Sequence, residues 1–165
     1  ENLGMQLLQG TKDVPNLLIV DIRGGAVSKY NLDNQHSGKV LKLGDQIVSV
    51  NGEFENIKKI LEDIKDAPIL NMKLLRPKEF GVDIVKTTQL GLDLLDRHVL
   101  IISAINEGDV QELNKMYNDR AVKVRDCIVE VNGVRAKPEA LVKALSEETG
   151  LIQMRMCRYK SMRGQ

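Results

Sequence analysis

Short apolar runs separated by polar turns dominate the chain, with a few stretches of helical spacing between them. In the second half, Phe80-Gly-Val-Asp-Ile-Val-Lys86 alternates apolar and polar positions and reads as a strand. Leu90 to Leu95 and Val99 to Ile105 read as two strands joined by the polar turn Asp96-Arg97-His98. Gly108 leads into a short helix, Val110 to Met116. Ala121 to Val124 and Cys127 to Val131 read as short strands, and Asn132-Gly133 is a turn signal. Leu141, Val142 and Leu145 lie at helical spacing within Glu139–Glu148, with Pro138 suited to the first helical position. Gly150 stops that helix, and Leu151 to Cys157 is the last strand. The expected order is β-β-β-α-β-β-α-β.

The first half repeats this pattern. Asn2-Leu-Gly-Met-Gln-Leu-Leu8 answers Gln89-Leu-Gly-Leu-Asp-Leu-Leu95, and Leu18–Arg23 answers Leu100–Ile105. Gly25 to Asn31 answers Gly108 to Asn114. Leu43-Gly-Asp-Gln-Ile-Val-Ser-Val-Asn-Gly52 answers Val124-Arg-Asp-Cys-Ile-Val-Glu-Val-Asn-Gly133. The offset is 81 to 87 residues, a whole small domain rather than a solenoid unit. In the first copy the hairpin loop, Gly10 to Pro15, is longer, and the second helix spans Asn56 to Lys65 with Ile57, Ile60, Leu61 and Ile64 on one face. That copy lacks a first strand, because the chain starts at the Leu-Gly turn. The expected domains are residues 1–76 and 80–160, with a linker at 77–79 and a tail at 161–165. A linker this short favours a fixed orientation of the two.

Composition narrows the function classes. The 165 residues are 42% hydrophobic and 28% charged, as in ordinary globular proteins, so disorder is not expected. No apolar run approaches the roughly 20 residues that span a bilayer. A net charge of +1 supplies no bulk attraction for nucleic acid, and two Phe, three Tyr and no Trp supply few stacking platforms. Cys127 and Cys157 sit in strand-like runs and read as small buried hydrophobes of a reducing compartment, cytoplasmic or organellar. The first residue is Glu1 rather than Met, so the chain is expected to continue upstream.

Candidate chemistry centres on Leu90-Gly91-Leu92. Gly91 opens backbone conformations closed to other residues, and successive N–H groups can then converge as a nest for an anion. If the strand after it is a sheet edge, its free backbone groups can pair with an incoming peptide. The peptide's C-terminal carboxylate would sit in the nest, and its last side chain between Leu90, Leu92 and Leu145. Lys86 would add charge or hold an ordered water. The alternative is a tight turn whose leucines fill the core.

Both copies resemble PDZ domains over the whole chain except the linker and the last few residues. The carrying motifs are Leu3-Gly4-Met5 and Leu90-Gly91-Leu92, similar to that family's Gly-Leu-Gly-Phe loop, with Asn2 and Gln89 in place of its first Gly. Gly-Asp-x-Ile-Val-x-Val-Asn-Gly is intact at 44–52, whereas at 125–133 Arg125 replaces the Gly. The resemblance implies an α+β, mostly β fold: two six-stranded, partly open β-barrels, each with two helices, the first lacking its first strand. It implies binding of partner proteins' hydrophobic C-termini. In the first copy the implied peptide contacts are Leu3, Gly4, Met5, Gln6, Leu7, Ile57, Leu61 and Ile64. In the second they are Lys86, Leu90, Gly91, Leu92, Asp93, Leu94, Pro138, Val142 and Leu145. The first position of the second helix sets preference two residues before the peptide's C-terminus. Ile57 there implies an apolar residue, and Pro138 offers no donor for Ser or Thr. Asp93 would favour a basic ligand residue, unless it is simply solvated.

Catalysis finds little support. His36 and His98 lie in polar loops, and no nucleophile–base arrangement, metal-ligand spacing or phosphate loop is present in the sequence. The basic residues Arg155, Arg158, Lys160 and Arg163 make a weak patch for phosphate or lipid. The sequence therefore points to a non-catalytic tandem scaffold that takes no cofactor or metal. Its expected partners are protein C-termini or a larger protein complex, with no nucleic acid and no direct membrane span. The alternative is a structural subunit of a larger assembly, in an organelle or elsewhere, with vestigial or occluded grooves.

Overall fold

The computed structural model describes residues 2–10 and 17–160. The chain divides into two compact units, Glu1–Pro77 and Lys78–Gln165. Most of the first copy's hairpin loop, at 11–16, and Arg163 of the basic tail lie outside the described residues.

In unit 1 the elements are β1 (Met5–Leu8), β2 (Leu18–Ile22), α1 (Gly25–Asp33), β3 (Gln46–Val50), α2 (Ile57–Asp66) and β4 (Met72–Leu75). The strands form one antiparallel sheet in the order β1-β2-β3-β4. Asn56 caps α2, its side-chain oxygen accepting from the Lys59 amide, which satisfies one of the helix's free first-turn donors. Ile60 is 1% exposed and joins Ile19, Val27, Ile47 and Val50 in the core, while Ile57, Leu61 and Ile64 pack on its rim. Removing a side chain buried like Ile60 costs about 2–5 kcal/mol in ordinary cores.

Unit 2 contains β5 (Lys78–Lys86), β6 (Leu92–Asp96), β7 (Leu100–Ile105), α3 (Asp109–Met116), β8 (Cys127–Val131), β9 (Val134–Arg135), α4 (Pro138–Glu147) and β10 (Gly150–Arg158). Its antiparallel sheet runs β5-β10-β8-β7-β6, with β9 on β8. Val82, Ile84, Met154 and Met156 from β5 and β10 meet Leu141 and Leu145 of α4 in the core.

The structure departs from the sequence reading at the linker, at residues 121–124 and at β9, a short strand that was not expected. Lys78 and Glu79, expected in the linker, already pair with Arg158 and Cys157. Residues 121–124, expected as a strand, form none. The backbone of Val122 is taken instead by a side chain: Asn114 Oδ1 accepts from its N–H at 2.8 Å and Asn114 Nδ2 donates to its carbonyl at 2.8 Å. Asn31 clamps Leu41 in the same way in unit 1.

A second shared device is a buried carboxylate. Asp45 and Asp126 are each 1% exposed. Asp45 accepts from Arg76 Nε at 2.8 Å and Asp126 from Arg158 Nε at 2.8 Å, and each arginine donates a second bond to the same carboxylate. Arg158 is thus bound into the scaffold, and Arg155 donates to Glu79, so neither belongs to a free basic patch. Cys127 and Cys157 are free and buried, and burial pushes their thiols up to about 12 and about 11.

Arg125 has φ 79° where its counterpart Gly44 has φ 87°. A side chain in this left-handed region is strained, and glycine is not. Arg125→Gly should stabilise unit 2 by about 0.5–1 kcal/mol, after the added freedom of its unfolded chain. Labelling of Cys127 and Cys157 in denaturant reports unit 2 specifically, so the expected outcome is slower labelling. Unchanged or faster labelling would contradict the strain.

Candidate functional site

In unit 2 the loop between β5 and β6 is fixed by its carbonyls. The oxygens of Gln89, Leu90 and Gly91 accept from the amides of Asp109, Val110 and Asn106 at 2.9, 3.1 and 2.7 Å. Two of these donors are first-turn amides of α3, which lack partners within their own helix. Gly91 adopts φ +77°, and a Cβ there would lie 2.7 Å from the carbonyl oxygens of Asn106 and Glu107. Only glycine fits this approach. With the carbonyls committed inward, the N–H groups of Leu90 and Gly91 have no hydrogen-bond partner among the described residues. They are the donors that the sequence reading assigns to an anion nest. Next to it, β6 is the last strand of its sheet, with one edge unpaired among the described residues.

Residues outside the expected set support this loop. The Asp109 carboxylate accepts from the Thr87 amide at 2.9 Å and from its hydroxyl at 2.6 Å. These bonds, the hydroxyl's foremost, hold the Asp109 carboxyl below its ordinary value. The Gln89 side chain donates to the Glu107 carbonyl at 3.1 Å. Thr87 and Asp109 escaped sequence reasoning because they are 22 residues apart and match no short motif. Asp109 at the start of a helix was the one available signal.

The other expected residues fall into three groups. Leu92 and Leu94 of β6 pack on the core, and Asp93 between them is exposed. Leu90 and Leu145 are 8% and 5% exposed and belong to the core cluster against which Leu92 packs. Val142, at 41% exposure, and Pro138, half-buried at the first turn of α4, remain at the surface. Lys86, expected beside the carboxylate, donates instead to the Leu145 carbonyl at 2.9 Å and the Ser146 carbonyl at 3.4 Å. A cation on the last carbonyls of α4 is favourable there.

Unit 1 repeats the loop with a different first residue. The carbonyls of Asn2, Leu3 and Gly4 accept from Ala26, Val27 and Arg23 at 3.0, 3.0 and 2.7 Å. Gly4 has φ +71°, and a Cβ would lie 2.0 Å from the Gly24 oxygen. Here Asn2 Oδ1 accepts from the Gly4 amide at 2.9 Å, so one nest donor is already occupied. Met5 and Leu7 of β1 pack on the core, while Gln6 is exposed. Beyond the end of β1 a groove of about 420 Å³ is lined by Gln9, Lys58, Leu61, Glu62 and Lys65. Leu61 is the expected groove residue found there. Ile57, Leu61 and Ile64 are all partly buried against the core, and of the three only Leu61 lines this groove. Lys58 and Lys65 were missed, although their spacing with Leu61 marks a helix stripe beside the apolar one.

Each unit therefore places a glycine-centred loop before an edge strand and a helix near it. Both units have a PDZ-like fold. That assignment rests on the strand order, the two helices and the Gly4 and Gly91 loops of this chain. Among solved structures, the chain is similar to INAD PDZ45 in complex with NG2 peptide, at 21% identity and TM-score 0.42, over 99% of this chain and 87% of that one. It is also similar to the fifth PDZ domain of InaD, at 22% identity and TM-score 0.42, over 50% of this chain and 99% of that one. A third likeness is MUPP1 PDZ4, at 21% identity and TM-score 0.43, over 51% of this chain and 78% of that one. No protein-family model and no curated relative matches the sequence.

Asp109 gives the site a pH dependence. A carboxyl held below its unfolded value stabilises the loop at pH above that value, about 3.9 for Asp, and the support is lost as pH falls through the folded value. Exchange of the Thr87 amide should therefore quicken, relative to intrinsic rates, below about pH 3.9. In Asp109→Ala it should be fast at neutral pH as well. Equal protection in both proteins would contradict this role.

Proposed function

We propose that the chain is a non-catalytic protein-interaction scaffold and that unit 2 binds the free C-terminal end of a partner polypeptide. The observation that carries this reading is the pair of unpartnered amides at Leu90 and Gly91, next to the open edge of β6. A carboxylate accepting both would make charge-assisted hydrogen bonds, and the peptide backbone would extend the sheet. Pro138 and Val142 line the helix side with apolar surface, so the preferred tail is hydrophobic. Unit 1 is the weaker carboxylate site because Asn2 already occupies the Gly4 amide. Ile57 at the start of α2 supports an apolar preference there two residues before the C-terminus.

The burial of Leu90 and Leu145 favours a second reading, a structural subunit whose grooves stay occluded. A binding screen with C-terminal peptides and their amides separates the two. Under the scaffold reading, amidation costs at least about 1.5 kcal/mol, more than tenfold in affinity. Gly91→Ala abolishes binding, with Cys127 and Cys157 labelling as the control for folding. Hits indifferent to amidation, or no hits with folded protein, would overturn it.

A further inference from the structure

One side chain separates the two glycine-centred loops. Their backbones match: the three carbonyls of each are held inward at 2.7 to 3.1 Å, and Gly4 and Gly91 adopt φ +71° and +77°. Each loop leads into the strand that ends its sheet, β1 or β6. The residue before each Leu-Gly pair then decides how many amides stay free. In unit 1 Asn2 folds back, and its Oδ1 accepts from the Gly4 amide at 2.9 Å, as a ligand oxygen would. The Leu3 amide is left without a partner among the described residues. In unit 2 Gln89 is longer by a methylene, and its Nε2 donates to the Glu107 carbonyl at 3.1 Å instead. Both the Leu90 and the Gly91 amide stay open among the described residues.

Neighbouring free donors suit the paired oxygens of a carboxylate. A single donor suits the neutral oxygen of a peptide carbonyl, in a chain that continues past the loop. The groove beyond the end of β1 adds a preference of its own. Of its lining residues, Lys58 and Lys65 are exposed and form no ion pair among the described residues, against one carboxylate, Glu62. An excess of cations beside the apolar Leu61 favours acidic side chains among apolar ones.

We propose that the residue before each Leu-Gly pair selects the kind of ligand, and that Asn2 fits unit 1 for an internal segment of a partner polypeptide. The segment adds to the free edge of β1, offers a peptide carbonyl to the Leu3 amide, and carries acidic side chains toward Lys58 and Lys65. Gln89, turned away to Glu107, keeps unit 2 for chain ends. This rests on the reading of both units as peptide sites and changes only what unit 1 asks of the end of its ligand.

A first test on the full chain needs no ligand. Asn2→Gln should speed amide exchange at Gly4 by about threefold or more, and Gln89→Asn should slow it at Gly91 by a similar factor. Asn2 and Gln89 are exposed, so neither swap touches a core. The second test titrates the full chain with acetylated Glu-Val-Glu-Val-Glu-Val, as its C-terminal amide and as its free acid, read at the amides of Gly4 and Leu7. Unit 1 should bind both forms within about twofold of each other, and Asn2→Gln should give the free acid an advantage of about tenfold. Lys in place of the peptide's Glu should weaken binding to unit 1 by about threefold or more. Among peptides that bind unit 2, Gln89→Asn should remove the cost of amidation. Gly4 exchange indifferent to Asn2→Gln would overturn the proposal, as would a free-acid preference of unit 1 in the unaltered chain, or no binding of either form there. A cost of amidation that survives Gln89→Asn would also overturn it, leaving the reading of unit 2 intact. Indifference of unit 2 to amidation in the unaltered chain would sink that reading instead, and the unit 1 results would still decide this one.

Discussion

The candidate site depends on where the carbonyls of one tripeptide go. In unit 2 the oxygens of Gln89, Leu90 and Gly91 are drawn inward by α3 and the residue after β7. A peptide plane with its oxygen committed on one side presents its N–H on the other, so the inward bonds aim the amides outward. Gly91 permits this because its backbone approaches Asn106 and Glu107 too closely for any side chain. The bond between Asp109 and Thr87 ties the start of the loop to the same helix. Binding then needs no rearrangement of the loop, only an acceptor for donors already in place.

Duplication lets the chain serve as its own control. The side-chain bonds that shape the scaffold occur in both units: Asn31 and Asn114 clamp a strand-like segment, and Asp45 and Asp126 hold an arginine from the last strand. Asn51 and Asn132 each accept an amide from the chain entering that strand, at 2.8 Å. Other side chains differ between the units. Asn2 caps a nest amide that Gln89 leaves open, and Lys58 and Lys65 flank a groove in unit 1. Gln46 differs for no visible gain: it is 1% exposed, and neither side-chain polar atom has a partner among the described residues. Its counterpart is the apolar Cys127, so unit 1 carries the cost of a buried amide that unit 2 avoids.

Much of the fold was legible because alternation and turn chemistry act locally. Phe80–Lys86, Cys127–Val131 and Leu151–Cys157 announced strands, and Pro138 announced the start of a helix. Residues 121–124 misled because their apolar alternation is real but their backbone partners are Asn114 and Asp126, which alternation does not encode. The Gly91 nest was legible from Leu-Gly-Leu and its repeat. The destination of Lys86 was not, since the carbonyl of Leu145 is brought near only by packing of α4. The exposure of Leu90 and Leu145 likewise depends on how far α4 closes on the sheet, a tertiary quantity with no local signature.

The most direct test of the central claim is an amide chemical-shift map of the full chain, titrated with a hydrophobic peptide ending in a free carboxylate. The account predicts that the Leu90 and Gly91 amide protons move furthest, downfield as they bond the carboxylate. Those of β6 should follow, and Gly4 should move little because Asn2 holds it. Saturable binding that leaves Leu90 and Gly91 unmoved, with shifts elsewhere in the chain, would contradict it.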